Sequence, residues 1–222
     1  MNHASPKSPP PLPPRCSAPW RPSADAALAR TTRAGGASPV RTPTAGGVSP
    51  RWSRESFEAL QELAARIRAL DVAPNVWQLA RGAVVAMTTT LRTRASILHH
   101  YDARTHYLRV IGADGPRTDG LLGRVFDAED DFITSTVLSN GCAMRVRLDG
   151  ELPRFVPSRI RDVAPARSIF ASPLLGADGC VAILELVDVD ERRAAYLPDA
   201  CELVRDRLVR LLEPMHGGRG RP

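Results

Sequence analysis

Three histidines lie close together in the chain: His99, His100 and His106. Imidazole nitrogens are common ligands of zinc and other transition metals, so the group invites a metal reading. The spacing argues against it. Adjacent residues on a strand face opposite ways, so His99 and His100 cannot share one ion without distortion. If Asp102 to Thr105 form a four-residue loop, His99 and His106 share a face with Tyr101. That leaves two imidazoles with no obvious carboxylate, and no metal site is expected. The four cysteines, Cys16, Cys142, Cys180 and Cys201, include no Cys-x-x-Cys and no zinc-like spacing. Three of them fall in the part read below as folded, and that odd number suits free thiols in a reducing compartment. No Ser/His/Asp set and no Gly-rich phosphate loop is present. We expect a non-enzyme without a cofactor. One acid stands out, Glu185, inside the apolar run "CVAILELVDV". By alternation it shares a face with Val181 and Ile183. It reads either as a strand-edge carboxylate paired to an arginine or as a ligand-binding carboxylate.

The elements that would position these groups follow from periodicity. "SRESFEALQELAARIRAL" places Phe57, Leu60, Leu63, Ala64, Ile67 and Leu70 at helical spacing, with Ser53 or Ser56 as the cap. "DVAP" breaks that helix, because the residue before Pro74 leaves the helical region. "NVWQLARGAVVAMTTTL" resumes it, with Gly82 weakening the second helix by roughly 1 kcal/mol relative to Ala. The period then changes to two. "RASILHHYD" and "HYLRVIGADG" read as a hairpin. The stretch from "GPRTDGLLGRVF" onward is mixed, and "DFITSTVLSN" reads as a short helix ended by Asn140-Gly141. "CAMRVRL" alternates as a half-exposed strand, and "DGELPRFVPSRIRDVAPA" reads as loop with a helical turn. "SIFASPLLGADGCVAILELVDV" is a second hairpin with Ile169, Val181, Ile183, Leu184 and Leu186 in the core. "LPDACELVRDRLVRLL" closes with a helix whose first turn suits Pro198. Helices packed on an antiparallel sheet make an α+β architecture.

Composition divides the chain. Residues 1–53 hold eleven of the twenty prolines and seven basic side chains against one acid, Asp25, so the whole formal charge of +6 sits there. Such a segment cannot bury enough apolar surface to offset its ordering entropy, and it reads as a disordered Pro/Arg-rich tail. The charge is dilute and the aromatics are only Trp20 and Trp52, which argues against nucleic acid as a partner. Residues 54–213 form the folded domain and 214–222 a flexible end. No apolar stretch suits a secretory signal, and none approaches the roughly 18 residues of a membrane span. The expected location is the cytoplasm, with no membrane partner.

Residues 54–213 resemble a GAF domain, the small-ligand and sensor module of signalling proteins. The resemblance rests on the helix–break–helix "FEALQELAARIRALDVAPNVWQLARGAVVAMTTTL", the strand "RASILHHYD", the hairpin with Pro173 ending one strand and Ala182 early in the next, and the closing helix. It implies a central antiparallel sheet, with N- and C-terminal helices on one face and a mixed loop and helix segment over the other. It implies a pocket lined by Tyr107, Phe126, Phe132 and Ile133, with Arg145, Arg147 or Arg167 offering anion contacts and Glu185 as a further ligand group. Bilin attachment is not expected, since no Cys–His pair occurs. The lysine of the cyclic-nucleotide set is missing, as the single lysine is Lys7. The enzymatic branch, which reduces free methionine sulfoxide, would need Cys142, Cys180 and Cys201 to converge. The resemblance also implies a homodimer through the first and last helices, using Phe57, Leu60, Leu63, Ile67, Val204, Leu208 and Leu211. The expectation is a regulatory or small-molecule-sensing module in signal transduction with no output domain on this chain, acting on a ligand or a separate signalling protein. The alternative is a ligand-free fold serving for dimerisation or scaffolding.

Overall fold

A computed structural model describes residues 53–70, 73, 75–148, 156–163 and 165–216, with side chains described as far as Leu212. The tail reading for residues 1–53 therefore lies, but for Ser53, outside the described residues, as does most of 214–222. Helix α1 spans Arg54–Ala69 and α2 spans Val76–Leu91. Each starts on a side-chain cap. Ser53 Oγ accepts from Ser56 N at 3.1 Å, and Asn75 Oδ1 accepts from Gln78 N at 2.9 Å, satisfying amides that the first turn leaves without partners. Of the two caps the sequence allowed for α1, Ser53 is the one used.

Strands β1 (Ala95–Asp102), β2 (Tyr107–Asp114), β3 (Val125–Asp127), β4 (Met144–Arg147), β5 (Ser168–Gly176) and β6 (Gly179–Val187) form one sheet in the order β3-β2-β1-β6-β5-β4. Every pairing in it is antiparallel. The loop of the first hairpin is Ala103 to His106, one residue later than expected, and His106 takes a left-handed φ of 58°. The short strand β3 and the 3-10 segments Asp119–Leu121 and Glu191–Tyr196 had no clear sequence signal. Helix α3 covers Phe132–Asn140 and ends on Gly141 at φ 62°, as the Asn-Gly pair suggested. Helix α4 is the single turn and a half Ser158–Val163, and α5 runs Leu197–His216.

Two cores flank the sheet. On one face α2 and α5 lie on the strands, and α1 packs on α2 and α5 as an outer helix. Leu63, Ile67, Leu79, Val84, Met87, Leu98, Leu184, Leu186, Val204 and Leu208 are buried there. On the other face, called distal here, Ile97, Leu108, Val110, Ile133, Val137, Ile160, Ile169, Ile183 and Val187 are buried beneath α3 and α4. Strand β6 serves both cores by alternation, with Ile183 and Val187 distal and Ala182, Leu184 and Leu186 toward the helices. Val181 packs with the helical core, not on the face of Ile183 as strict alternation implied; it lies next to the irregularity opposite Leu174 and Leu175. Pro173 lies within β5. Ser168 O accepts from Asp188 N, so even residues of β5 bond β6 and odd ones turn toward β4. Pairing with β4 stops at Ala171, which leaves Pro173 on the flank where no N–H is needed.

Candidate functional site

The distal core contains a charged cluster built from separate elements. Glu185 sits mid-strand on β6 opposite Ile97, and His99 sits on β1 two residues beyond Ile97, facing the same side. Asp131 is the N-cap of α3: its Oδ1 accepts from Ile133 N at 2.9 Å, which leaves Oδ2 to face inward. Thr134 follows three residues on, so the helical turn brings its hydroxyl back to Asp131 Oδ2 at 2.5 Å. Arg159 is the second residue of α4 and turns inward with Ile160 and Val163. Glu185, His99 and Thr134 have no exposed surface, and Arg159 is 2% exposed.

Arg159 organises the cluster. Its Nε donates to Glu185 Oε2 at 2.9 Å, and its Nη2 donates to Glu185 Oε1, Asp131 Oδ2 and, at 3.0 Å, Thr134 Oγ1. The contact with Glu185 is the two-pronged guanidinium–carboxylate fork. Thr134 therefore accepts from Arg159 and donates to Asp131. His99 Nε2 meets Glu185 Oε2 at 2.7 Å, and its Nδ1 is buried with no hydrogen-bond partner among the described residues. The Arg159 guanidinium carbon lies 5.5 Å from the centre of the Phe126 ring, and the His99 ring meets Phe126 edge-on at 6.4 Å. Burial alone would push the Glu185 carboxyl upward, but the Arg159 charge and His99 outweigh it and hold Glu185 well below the usual carboxylate range. Burial would likewise lower Arg159, and Glu185 and Asp131 overcome that too. The acid and the base are thus ionised together, away from water.

The residues expected to line a site divide. Glu185, Ile133 and Phe126 come together in or beside the cluster. Glu185 does pair with an arginine, but in the centre of the sheet and not at an edge. Tyr107 is 48% exposed, and its strand neighbour Leu108 is the one that turns into the distal core. Phe132 is 55% exposed. Arg145, on the edge strand β4, pairs with Glu191 at 2.6 Å, and Arg147 approaches the same carboxylate at 3.4 Å. Arg167 is exposed, and its backbone N–H donates to Asp188 Oδ1 at 2.6 Å. Arg147 and Arg167 line a surface groove of about 380 Å³ together with Asp188 and Glu191, so its charges are mixed. Sequence reading missed Arg159, Asp131 and Thr134. Asp131 had a signal, as a capping residue before an apolar helical stretch. Arg159 had none to separate it from the other arginines.

The remaining chemistry is sparse. Among the described residues no three His, Cys, Asp or Glu side chains are grouped to hold a metal. His106 faces Tyr101, with Nδ1 at 3.3 Å from the phenol oxygen. Cys201 lies in the helical core, while Cys180 packs against the distal core, so the sheet stands between them. Burial pushes each of these thiols up to about 12. Among the described residues no helix is long and apolar enough to cross a membrane.

No protein-family model matches the chain, and no curated protein sequence matches it. Solved structures do. The GAF domain of a phosphoenolpyruvate-protein phosphotransferase from Coxiella burnetii aligns with a TM-score of 0.57 at 14% identity, covering 75% of this chain and 99% of that one. The nlh2 GAF domain of A. aeolicus, in an inactive state, aligns with a TM-score of 0.56 at 10% identity, over 72% and 97%. A free methionine-R-sulfoxide reductase from Neisseria meningitidis, solved with its substrate, aligns with a TM-score of 0.54 at 15% identity, over 70% and 91%. Two of these three neighbours are GAF domains and the third is a reductase. The six-stranded antiparallel sheet between a helical layer and a mixed distal layer is the GAF fold.

Proposed function

We propose that this chain is a non-catalytic regulatory module of the GAF type, cytoplasmic, in which the distal layer receives the input and the helical layer passes it on. The observation that carries the reading is the double role of β6. Glu185 holds the distal cluster, while its neighbours Leu184 and Leu186 pack into the helical core. A change in the cluster moves a strand on which α5 rests. The placement of Cys180 and Cys201 on opposite sides of the sheet, with both thiols far from ionisation, supports a non-catalytic role.

Output through a homodimer is the second part of the proposal. Leu63, Ile67, Val204 and Leu208 are consumed by the chain's own core, because α1, α2 and α5 pack on one another. Phe57, 56% exposed, and Leu211, 41% exposed, remain on the surface, with Leu60 half-buried. These residues would form a smaller seam between α1 and α5 of two copies. A ligand-free scaffold is the alternative reading, favoured by one observation: Arg159 already fills the distal cluster. Native mass spectrometry of the full chain separates the two. A retained small molecule supports input at the distal layer. A bare dimer supports the scaffold, and a bare monomer at tens of micromolar removes the dimer from both.

A further inference from the structure

At the end of the sheet where β1 and β5 begin and β4 and β6 stop, arginines gather from separate elements. Arg94 precedes β1, Arg145 and Arg147 belong to the edge strand β4, and Arg167 precedes β5. On β4 the arginines alternate with Met144 and Val146, which pack on the distal core, so both lie on the opposite face from the Arg159 cluster. Arg94, Arg147 and Arg167 line the open groove of about 380 Å³ together with Ser168, Asp188 and Glu191. That volume falls in the range of small-molecule sites, roughly 300–1,000 Å³. The acids do not match the guanidinium groups. Asp188 is already used: its Oδ1 accepts from the Arg167 and Ser168 N–H groups at 2.6 and 2.9 Å, and its Oδ2 lies 3.0 Å from Arg94 Nε. Glu191, on the surface, is shared, since Arg145 and Arg147 both reach its Oε1. Among the described residues the Arg167 guanidinium pairs with no carboxylate, and Arg145 Nε is buried without a hydrogen-bond partner. Four arginines against two acids leave two positive charges over, beside a concave surface that opens to water.

We infer that this groove binds the phosphate group of a small phosphate monoester. Such a group carries close to two negative charges at neutral pH, which balances the surplus. Its oxygens accept the paired N–H donors of a guanidinium fork, which a flexible ammonium group cannot present. Arg147 and Arg167 are the two that hold it, because β4 and β5 pair Arg147 with Ser168, the neighbour of Arg167. Glu191 competes with the ligand for Arg147. A groove of this size encloses a small molecule, whereas an extended polyanion would need a longer basic track. The site goes beyond the regulatory reading and does not rest on it.

The test is calorimetric titration of the full chain with glycerol 3-phosphate at constant ionic strength, so that general screening does not change. Wild type should bind saturably with one site per chain. Arg167→Gln should weaken binding by about tenfold or more, the effect of losing one charge-assisted fork, and Arg147→Gln should do the same. Both variants should melt within a few degrees of wild type, since neither side chain is buried. Glu191→Gln, which releases Arg147, should bind more tightly. Arg104→Gln, in the loop at the far end of β1, should bind as wild type does. Binding to the basic residues of 1–53 would survive Arg167→Gln, so wild-type affinity in that variant overturns the inference. A wild type with no saturable binding at millimolar glycerol 3-phosphate overturns it too, as does a loss in Arg104→Gln equal to that in Arg167→Gln. A protein that ignores glycerol 3-phosphate but binds short single-stranded DNA or phosphatidic acid vesicles also overturns it, because the groove would then serve a polyanion or a lipid surface.

Discussion

Glu185 joins Arg159 and His99 in the distal cluster. Replacing it by Gln keeps the shape but leaves Arg159 with one full carboxylate partner, Asp131. Breaking a buried pair by removing one charge typically costs about 3–5 kcal/mol, and Glu185→Gln should fall near that range by urea unfolding at pH 7. The pH dependence carries a sign. The folded-state carboxyl of Glu185 lies below its unfolded value, so its contribution is present above the ordinary glutamate pKa of about 4.3 and is lost as pH falls through the folded value. The stability gap between wild type and Glu185→Gln should therefore narrow in acid. A gap that stays constant from pH 7 down to pH 2.5 would contradict this. The opposite case is Cys201, which the core treats as a small apolar side chain; its value near 12 leaves it almost wholly protonated at neutral pH. Alkylating reagents should modify it slowly in the folded protein.

At the scale of elements, the strongest constraint is how closely α2 approaches the sheet. Gly112, in β2 opposite Leu98, has no side chain to spare: a Cβ there would come within 2.8 Å of the Ala80 carbonyl oxygen and 2.9 Å of its carbon. Both are backbone atoms of α2 and cannot step aside. Gly112→Ala should cost about 1–3 kcal/mol as an overpacking change, read as a lower urea midpoint with an unchanged slope. Gly82 behaves differently. Its Cβ would meet Leu70 Cδ2 at 2.4 Å, the end of a flexible side chain. The helix-propensity gain of Gly82→Ala is thus partly offset by repacking Leu70. Strand β6 gives the simplest case. Leu184 is 1% exposed in the helical core, and Leu184→Ala should destabilise by about 2–5 kcal/mol. A loss below about 1 kcal/mol would mean that β6 is not the central strand the pairing makes it.

For the molecule as a whole, the question is what covers the outer surface of α1 and α5. The apolar stripe on each helix is wider than contact with a sheet needs. The three-helix layer accounts for most of the surplus, because α1 rests on α2 and α5 and takes Leu63 and Ile67 inward. Phe57 and Leu211 are left over. If two copies associate there, a Phe57→Glu, Leu211→Glu double variant should run as a monomer in light scattering at tens of micromolar while its melting temperature stays within a few degrees of wild type. A wild type that is itself monomeric removes this interface. A double variant that remains dimeric moves it elsewhere on the molecule.

The linear sequence determined the longer helices and strands and their order, though not β3 or the 3-10 segments. Helical and strand periods, the caps at Ser53 and Asn75, and the Asn140-Gly141 stop are local signals, and local hydrogen bonding and burial respond to them directly. The two-sided burial of β6 was legible for the same reason, as was the opposite facing of His99 and His100. What only the tertiary structure decided was the partnership at the site. Arg159 lies 26 residues from Glu185 and 28 from Asp131 in the chain. Its inward turn depends on how a six-residue helix docks on the sheet, and no periodicity reaches across such a gap. Charge type gave no help, because 29 of the 30 basic residues are arginine and any of them has the same chemistry. Burial, set by docking, made one of them different: out of water, a guanidinium must find its carboxylates, and Arg159 found two.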